Sequence, residues 1–440
     1  MLDLESPLRE EEDLLQYASD PAPRDRRFDP HRVPLSTQAK ALVDEACRGV
    51  ERYEEHFGLR QRRRRKADQI TFESTVSAIL CDVIHHHVGR QDGGIYVSRS
   101  KQELGKRCRY KPSALNEKLP CLLDILASRE LGYIKQNVGT DKSSGPARRT
   151  TIRAGWRTLR KIAEYQIALE DISQNPHREP IELRTGKGHF WDLSERIDYE
   201  DDDQTHEFRG QMEEINAWLA SADMTYCGST ITDWGQCLTI HDRSLRRIFT
   251  RRSFEQGGRL FGGFWQSLSK ADRKKNLMIE TETAVELDYG QMCPRIAYGL
   301  AGVHPLMEDA YSIPGYEDRR EGIKKVFNAM LFSEKRLGQF PQHTRPYFGP
   351  QPTIHQVTSA IEQTHPCLFD SFYTGAGYYL QFRESQILVD LLLRLKARSI
   401  VALPIHDAVL VAASRVNETR QLMLKVFRDH TGIEGLVSVG

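Results

Sequence analysis

Three segments in the last third of the chain carry residue types able to do phosphoryl chemistry. Asp288 closes the apolar alternation in TAVELDYGQMCPRIAYGLAG, and Asp407 lies between the two apolar runs of SIVALPIHDAVLVAAS. The two are distant in sequence, yet each is an acid at the end of an expected strand, which is how one sheet brings two carboxylates to one point. Such a pair repels unless a cation neutralises it, and hard oxygen ligands of this kind suit Mg²⁺. Between them, DRREGIKKVFNAMLFS repeats Arg320, Lys324, Asn328 and Phe332 every four residues, so these share one side of a helix. Two ions held by the acids would stabilise the attacking and leaving oxygens of an in-line displacement, while Arg320 and Lys324 take the triphosphate of an incoming nucleotide. Either acid alone reads as a turn or cap residue; the pattern has meaning only jointly.

The elements that must position these residues are a strand through Val285 and Leu287, a hairpin turning at His406 and Asp407, and a helix from Val416 to His430. Upstream lies a basic cluster of Arg243, Arg246, Arg247, Arg251 and Arg252, followed by Arg259 and then Lys270, Arg273, Lys274 and Lys275. Charge concentrated in this way suggests a surface facing a polyanion. From 155 to 249 the signal is weaker: helices over 155–172 and 212–220, and an acidic loop over 198–203.

Nearer the N-terminus a helical pattern begins at Thr37 and breaks at Gly58, where Arg60 to Lys66 place six positive charges in seven residues. That strip is either a solvated face or a phosphate contact. Phe72, Val76, Ile79, Leu80, Val83 and Ile84 follow helical spacing. Ser100 reads as an N-cap for a helix to Cys108, and Pro112 with Ser113 opens a second helix. A third lies around 122–128, a strand over 133–138, the loop GTDKSSGPA, and a returning strand over 150–153. This is the order of a winged helix. Its reading surface would be Lys111, Ser113, Asn116 and Lys118, with Lys142, Arg148 and Arg149 in the wing. A helical packing domain without nucleic acid is the alternative. His85, His86 and His87 splay around a helix, cannot share one metal, and are expected at the surface.

Composition bounds these readings. The 440 residues carry 62 Lys and Arg against 61 Asp and Glu, which excludes a uniformly basic coat. With 39% hydrophobic and 28% charged residues the chain is ordinary for a globular protein. No window has eighteen consecutive apolar residues, and the acidic start MLDLESPLREEEDLL is unlike a secretory signal. The eight cysteines show no C-x-x-C spacing, so a zinc ribbon and a disulfide framework are not expected, and a cytoplasmic location is. Residues 1–35 read as a disordered acidic and proline-bearing tail, 36–155 as the winged-helix-like domain, 156–244 as a helical thumb-like or linker region, and 245–440 as the domain holding the two acids.

The segments quoted above resemble the family A, or Pol I-like, DNA polymerases. The family's first palm motif begins Asp-Tyr-Ser-Gln and ends in Arg; here Asp288, Tyr289, Gly290, Gln291, Met292, Cys293, Pro294 and Arg295 keep the register. The family's fingers helix has Arg, three residues, Lys, then an aromatic and Tyr-Gly. Arg320, Lys324, Phe327 or Asn328, and Phe332-Ser333 stand at those places. Its His-Asp-Glu turn is His406, Asp407, Ala408, and its Gly-Arg-Leu element is Gly258, Arg259, Leu260. The resemblance spans about 245–440. It implies an α+β fold: a right-hand polymerase palm on an antiparallel sheet with helical fingers and thumb, preceded by the winged-helix-like domain. It implies a template-directed nucleotidyltransferase extending a DNA primer with dNTPs. Asp288, Asp407 and the Tyr289 backbone carbonyl would hold two Mg²⁺ ions, with Mn²⁺ able to substitute. Arg320, Lys324, Phe332, Cys293 and Gln291 would meet the nucleotide. Arg259, Arg295, His406, Arg246 and Arg247 would meet the primer-template, as Lys111, Asn116 and Lys118 would from the N-terminal domain.

The chain departs from the family in a paired way. A family Glu that blocks the ribose 2′-OH is Cys293 here, and the Tyr that holds it is Phe332. Losing both partners strands no buried polar group, so relaxed sugar discrimination and acceptance of rNTPs are expected. The Glu after Asp407 is absent, and Pro294 alters the first turn after the metal site. No spaced acids in 36–245 suggest a proofreading exonuclease. Two alternatives stay open: a non-catalytic DNA-binding replication initiator on a polymerase scaffold, and a primase-like, RNA-synthesising or template-independent transferase.

Overall fold

A computed structural model gives residues 25–140, 148–175, 177–186, 194–229, 237–305 and 307–440. Contacts divide the described residues into two compact units: those within 25–179 and 229–244, and those within 180–228 and 245–440. Residues 156–244, expected to form one region, are instead shared between the two. Each unit mixes helices with antiparallel pairing, so the α+β class holds. No described helix is long and apolar enough to cross a membrane.

The first unit runs β1 (Arg26–Arg27), β2 (Arg32–Pro34), α1 (Thr37–His56), α2 (Lys66–Val88), β3 (Ile95–Val97), α3 (Lys101–Gly105), α4 (Leu119–Leu126), β4 (Ile134–Asn137), β5 (Thr150–Ala154), α5 (Trp156–Tyr165) and β6 (Ile172–Gln174). One sheet has the order β1-β3-β5-β4, and β2 pairs with β6. Ser36 starts α1 by accepting a hydrogen bond from the Ala39 amide at 3.1 Å. The apolar face read from sequence on α2 is buried throughout, with its residues in the core beneath α1 and the sheet.

Several expectations for this unit are corrected. Residues 25–35 are not a disordered tail but carry β1 and β2, fixed by ion pairs from Arg26 to Asp82 at 2.7 Å and from Arg32 to Asp242 at 3.1 Å. Residues 1–24 lie outside the described residues. His85 and His86 are buried rather than at the surface; His85 Nε2 lies 2.9 Å from Thr239 Oγ1, and burial lowers the imidazole to about 2. Only His87 is exposed. Pro112 opens no helix: residues 113–118 form turns and bends, and Pro120 belongs to the first turn of α4, where its missing N–H costs nothing.

The second unit runs β7 (Ile181–Leu183), α6 (Asp203–Ser221), β8 (Met224–Tyr226), β9 (Arg246–Phe249), β10 (Gly257–Phe261), α7 (Lys270–Asn276), β11 (Leu277–Ile279), β12 (Glu282–Tyr289), α8 (Met292–Leu300), α9 (Arg320–Phe332), α10 (Ile354–Thr364), α11 (Ala376–Lys396), β13 (Ala402–Ile405), β14 (Ala408–Ala412), α12 (Val416–Thr431) and β15 (Val437–Val439). Its main sheet has the order β13-β14-β12-β11-β8, with β15 on the other side of the C-terminal half of β12. A smaller sheet has the order β10-β9-β7. Leu287 and Tyr289 are buried, and the Tyr289 hydroxyl donates to the Met423 carbonyl of α12 at 2.8 Å. Because a strand alternates its faces, this contact turns Glu286 and Asp288 to the opposite face.

Candidate active site

Pairing brings the two distant acids together. Asp288 stands opposite Ala408 in the β12–β14 ladder, so Asp407 is the adjoining residue, and the Tyr289 amide donates to the Asp407 carbonyl at 3.3 Å. The two backbones are one strand spacing apart, roughly 5 Å. Asp407 follows His406 in a two-residue turn between β13 and β14, and His406 has φ 53°, a left-handed conformation usual for glycine. A histidine held there is the local strain that often marks functional turns.

The electrostatics match this closeness. Burial, then the charge of Asp407, then that of Glu286 push the Asp288 carboxyl up to about 7, against Lys324 and Lys270. Glu286 is already engaged by Lys270 at 3.0 Å and Arg273 at 3.2 Å. Among the described residues, therefore, no side chain neutralises Asp288 by direct pairing, and it meets the like charge of Asp407. Among the described residues no group of three or more His, Cys, Asp or Glu side chains could cage a metal ion. Two partly buried carboxylates are nonetheless the donor set Mg²⁺ accepts, since it fills its remaining positions with water and substrate phosphates.

Around the acids stand groups that sequence reasoning missed. Glu384 of α11 is 1% exposed and holds Arg259 with two hydrogen bonds, at 2.7 and 3.1 Å. Burial works against the Arg259 charge, but Glu384 outweighs it and the guanidinium pKa is raised. Burial and then Glu384 push the Cys293 thiol up to about 12, so it is a neutral wall of the site. Glu384 was legible as a charge on the apolar stripe formed by Leu380, Ile387, Leu388 and Leu391. Asp309 is the second omission: its carboxylate takes the Arg320 guanidinium at 2.5 and 3.3 Å, and Arg320 also lies 5.3 Å from the Tyr311 ring centre. Nothing in its surface-like sequence context marks Asp309.

The remaining expected residues divide between those near the acids and those committed elsewhere. On α9, exposure falls from Arg320 and Lys324 through Asn328 to buried Phe332. Lys324 is close enough for its charge to act on Asp288 and Cys293. Phe332 packs edge-on against Tyr378, with Gly377 beneath it, so it is a core residue rather than an open platform. His406 is kept neutral, lowered to about 4 by burial and then by Arg259, and its buried Nδ1 has no hydrogen-bond partner among the described residues.

Gln291 and Arg295 are braces. Gln291 accepts from the Ala310 amide at 2.8 Å and donates to the Glu308 carbonyl at 3.1 Å, while Arg295, buried, donates to the carbonyls of Glu434 and Glu308. They tie down the loop that carries Asp309 and Tyr311. Arg246 and Arg247, expected at the primer-template, are instead buried with partners inside the fold. Arg246 is buried on Glu182 at 3.1 Å. Arg247 is 0% exposed, donates to Ser385 Oγ, Gln386 Oε1 and the Gly258 carbonyl, and lies over Phe208. Burial lowers its pKa to about 9.

The surface expected in the first unit is likewise engaged. Lys111 caps the end of α3 through the Leu104 and Lys106 carbonyls at 2.5 and 2.6 Å. Asn116 closes a turn on Ser113 and reaches Thr75, and Lys118 is exposed beside Asp68 at 3.4 Å. The exposed positions of α4 are Cys121 and Asp124, not cations. Lys142 lies outside the described residues.

No family model matches the chain, and no curated protein matches it. Among solved structures it is similar to the POL domain of Pol1 from M. smegmatis, in a complex with DNA primer-template and dNTP, with a TM-score of 0.32 and 14% identity. The match covers 54% of this chain and 51% of that one, so the chain spans about half the length of the matched protein.

Proposed function

We infer that the second unit is a template-directed nucleotidyltransferase of the Pol I type, extending a primer by attack of its 3′-OH on the α-phosphate of a nucleotide with loss of pyrophosphate. The observation that carries this is the meeting of Asp288 on β12 with Asp407 in the turn that enters the neighbouring strand β14, with Asp288 pushed up to about 7 by burial and by Asp407. In this reading the sheet around β12 is the palm and α9 is the fingers helix. Asp288, Asp407 and the Tyr289 carbonyl would hold two Mg²⁺ ions, which when bound would neutralise the acids and stabilise charge on the phosphoryl oxygens.

The chain's own residues have the following roles. Lys324 and Arg320 bind the nucleotide phosphates, Arg320 after releasing Asp309. Cys293 lines the sugar side as a small neutral group, so dNTPs and rNTPs are both accepted. Neutral His406 stands at the primer end, and Arg259 positions the primer-template with Glu384 as its counter-charge. In the first unit the order α2, β3, α3, α4, β4, β5 supports a winged-helix reading, with DNA contact from the wing arginines Arg148 and Arg149. No proofreading belongs to this activity, so mismatched primer ends should survive long incubation with Mg²⁺.

Two observations favour a second reading, a non-catalytic DNA-binding protein on the same scaffold: Arg259 is occupied by Glu384 and Arg320 by Asp309. Primer extension separates the two. A labelled primer on DNA or RNA template, offered dNTPs or rNTPs with Mg²⁺, should lengthen with the wild type and not with Asp288→Ala or Asp407→Ala, while all three bind the substrate. Binding without extension by the wild type would select the scaffold. Product formed without template or primer would select a primase-like or terminal transferase.

A further inference from the structure

We propose that the first unit has a binding site for single-stranded nucleic acid on the groove beside β4, with Trp156 as the platform on which a base stacks. The proposal does not depend on the polymerase reading. The groove has a volume of about 690 Å³ and lies between the end of α4, the edge strand β4 and the start of α5. Trp156 and Leu159 line it from one side of α5, spaced i and i+3, and remain 53% and 38% exposed. Burying them elsewhere would stabilise the fold, so a large indole left open needs another explanation.

The indole is held in place by bare backbone. Gly132 has φ 58°, and a Cβ there would fall 2.0 Å from Trp156 Nε1. A Cβ on Gly155 would fall 2.4 Å from the Gly132 carbonyl oxygen. The two glycines let the ring lie against the main chain, and the Arg157 guanidinium, anchored on the Leu131 and Glu130 carbonyls, packs 4.9 Å from the ring centre; the exposed remainder of the indole is thereby a rigid aromatic surface of the sort that binds a base with little loss of freedom.

Charge identifies the occupant. Arg129 and Lys135 line the groove, Arg153 stands opposite Lys135 in the β4–β5 ladder, and Arg160 adjoins Leu159. All four are exposed, and among the described residues none is in an ion pair. Like charges directly opposite on a sheet repel, so the Lys135–Arg153 pair is a cost that an anion would remove. The acid lining the groove, Asp124, is already satisfied by Arg99 at 2.6 Å and Gln136 at 2.8 Å. An exposed aromatic in a groove lined by Arg129 and Lys135, with Arg153 and Arg160 on the adjoining elements, fits a base with its neighbouring phosphates. Single strand is favoured over duplex because the stacking face can be used only by an unpaired base, and α4 presents no cations for a groove.

The test is fluorescence anisotropy of a labelled oligo-dT with the full chain, without nucleotide or Mg²⁺. Trp156→Ala should weaken binding roughly 5- to 150-fold, the range of base–aromatic stacking, and Trp156→Phe should recover part of it. The double change Arg129→Gln with Lys135→Gln should lower the slope of log affinity against log salt by about 1.4. A duplex of equal length should lose little with Trp156→Ala, and thermal melting of each variant checks that the unit folds. Oligo-dT affinity of Trp156→Ala within two-fold of wild type, equal losses for duplex, or an unchanged salt slope in the double variant would overturn the proposal. An extended peptide paired along β4 would give the first of these results. Loss of primer extension with oligo-dT binding intact would count against the polymerase reading alone.

Discussion

Replacing Asp288 by Asn should make the protein more stable at pH 8 and leave it unchanged near pH 4. In the folded chain the carboxyl is pushed up to about 7 from an ordinary 3.8, first by burial and then by Asp407. Below pH 4 the acid is protonated whether the chain is folded or not, and the group contributes nothing to the pH dependence. Between 4 and 7 the unfolded chain ionises while the folded one holds its proton, so stability falls as pH rises, and the penalty is complete above 7. A displacement of that size corresponds to about 4 kcal/mol as a ceiling. The carboxyl is partly exposed and faces Lys324, so screening reduces this to about 1–2 kcal/mol. For a cooperative unit of this size, that is a rise in Tm of roughly 2–8 °C. The assay is thermal unfolding by circular dichroism at pH 4.5 and pH 8 without divalent cations, repeated with Mg²⁺. Mg²⁺ should stabilise the wild type at pH 8 and have much less effect on the Asn variant. Equal Tm shifts at the two pH values, or equal Mg²⁺ stabilisation of both proteins, would refute the repulsion between the acids.

Asp309→Asn frees the Arg320 guanidinium from an exposed ion pair, so nucleotide KM in primer extension should fall by up to about five-fold with little change in kcat; a raised KM would mean that Asp309 positions Arg320. Arg247→Ala leaves Ser385, Gln386 and the Gly258 carbonyl without their donor and opens a void under Phe208, which should cost about 2–4 kcal/mol in denaturant melts. The affinity of the folded variant for DNA should stay at wild-type level, and a selective loss of affinity would restore Arg247 to the interface. With Cys293 in place of a carboxylate, dNTP and rNTP incorporation efficiencies should differ by less than about a hundred-fold; a ratio of several thousand would show that another group, with buried Glu384 whose charge acts on Cys293 as the candidate, has taken over sugar selection.

The parts of the site legible in sequence were those whose signal is local. Strand alternation through Val285 and Leu287, the four-residue repeat on α9 and the apolar runs flanking His406 and Asp407 each fix an element and its face, and two such elements suffice to bring Asp288 to Asp407. Arginine is where the reading failed. A basic cluster in sequence says nothing of which side chains face water. Arg246 and Arg247 lie on β9, adjacent residues directed to different environments, and each found partners contributed from far along the chain: buried Glu182 for one, buried Ser385 and partly buried Gln386 for the other. Lys111 and Asn116 failed for the opposite reason, since caps and turns consume short-range polar groups where a recognition helix was expected. The buried histidines were misread because the partner that satisfies His85, Thr239, comes from a segment 154 residues away.

The central claim is that Asp288 and Asp407 share divalent cations. Its most direct test is titration with Mn²⁺ in the presence of a non-hydrolysable dNTP, reading free Mn²⁺ by electron paramagnetic resonance. Two bound ions are expected for the wild type, with affinity falling as pH drops below about 7, and both Asp288→Asn and Asp407→Asn should lose them. Mn²⁺ binding that is equal in all three proteins, or independent of pH, would contradict it.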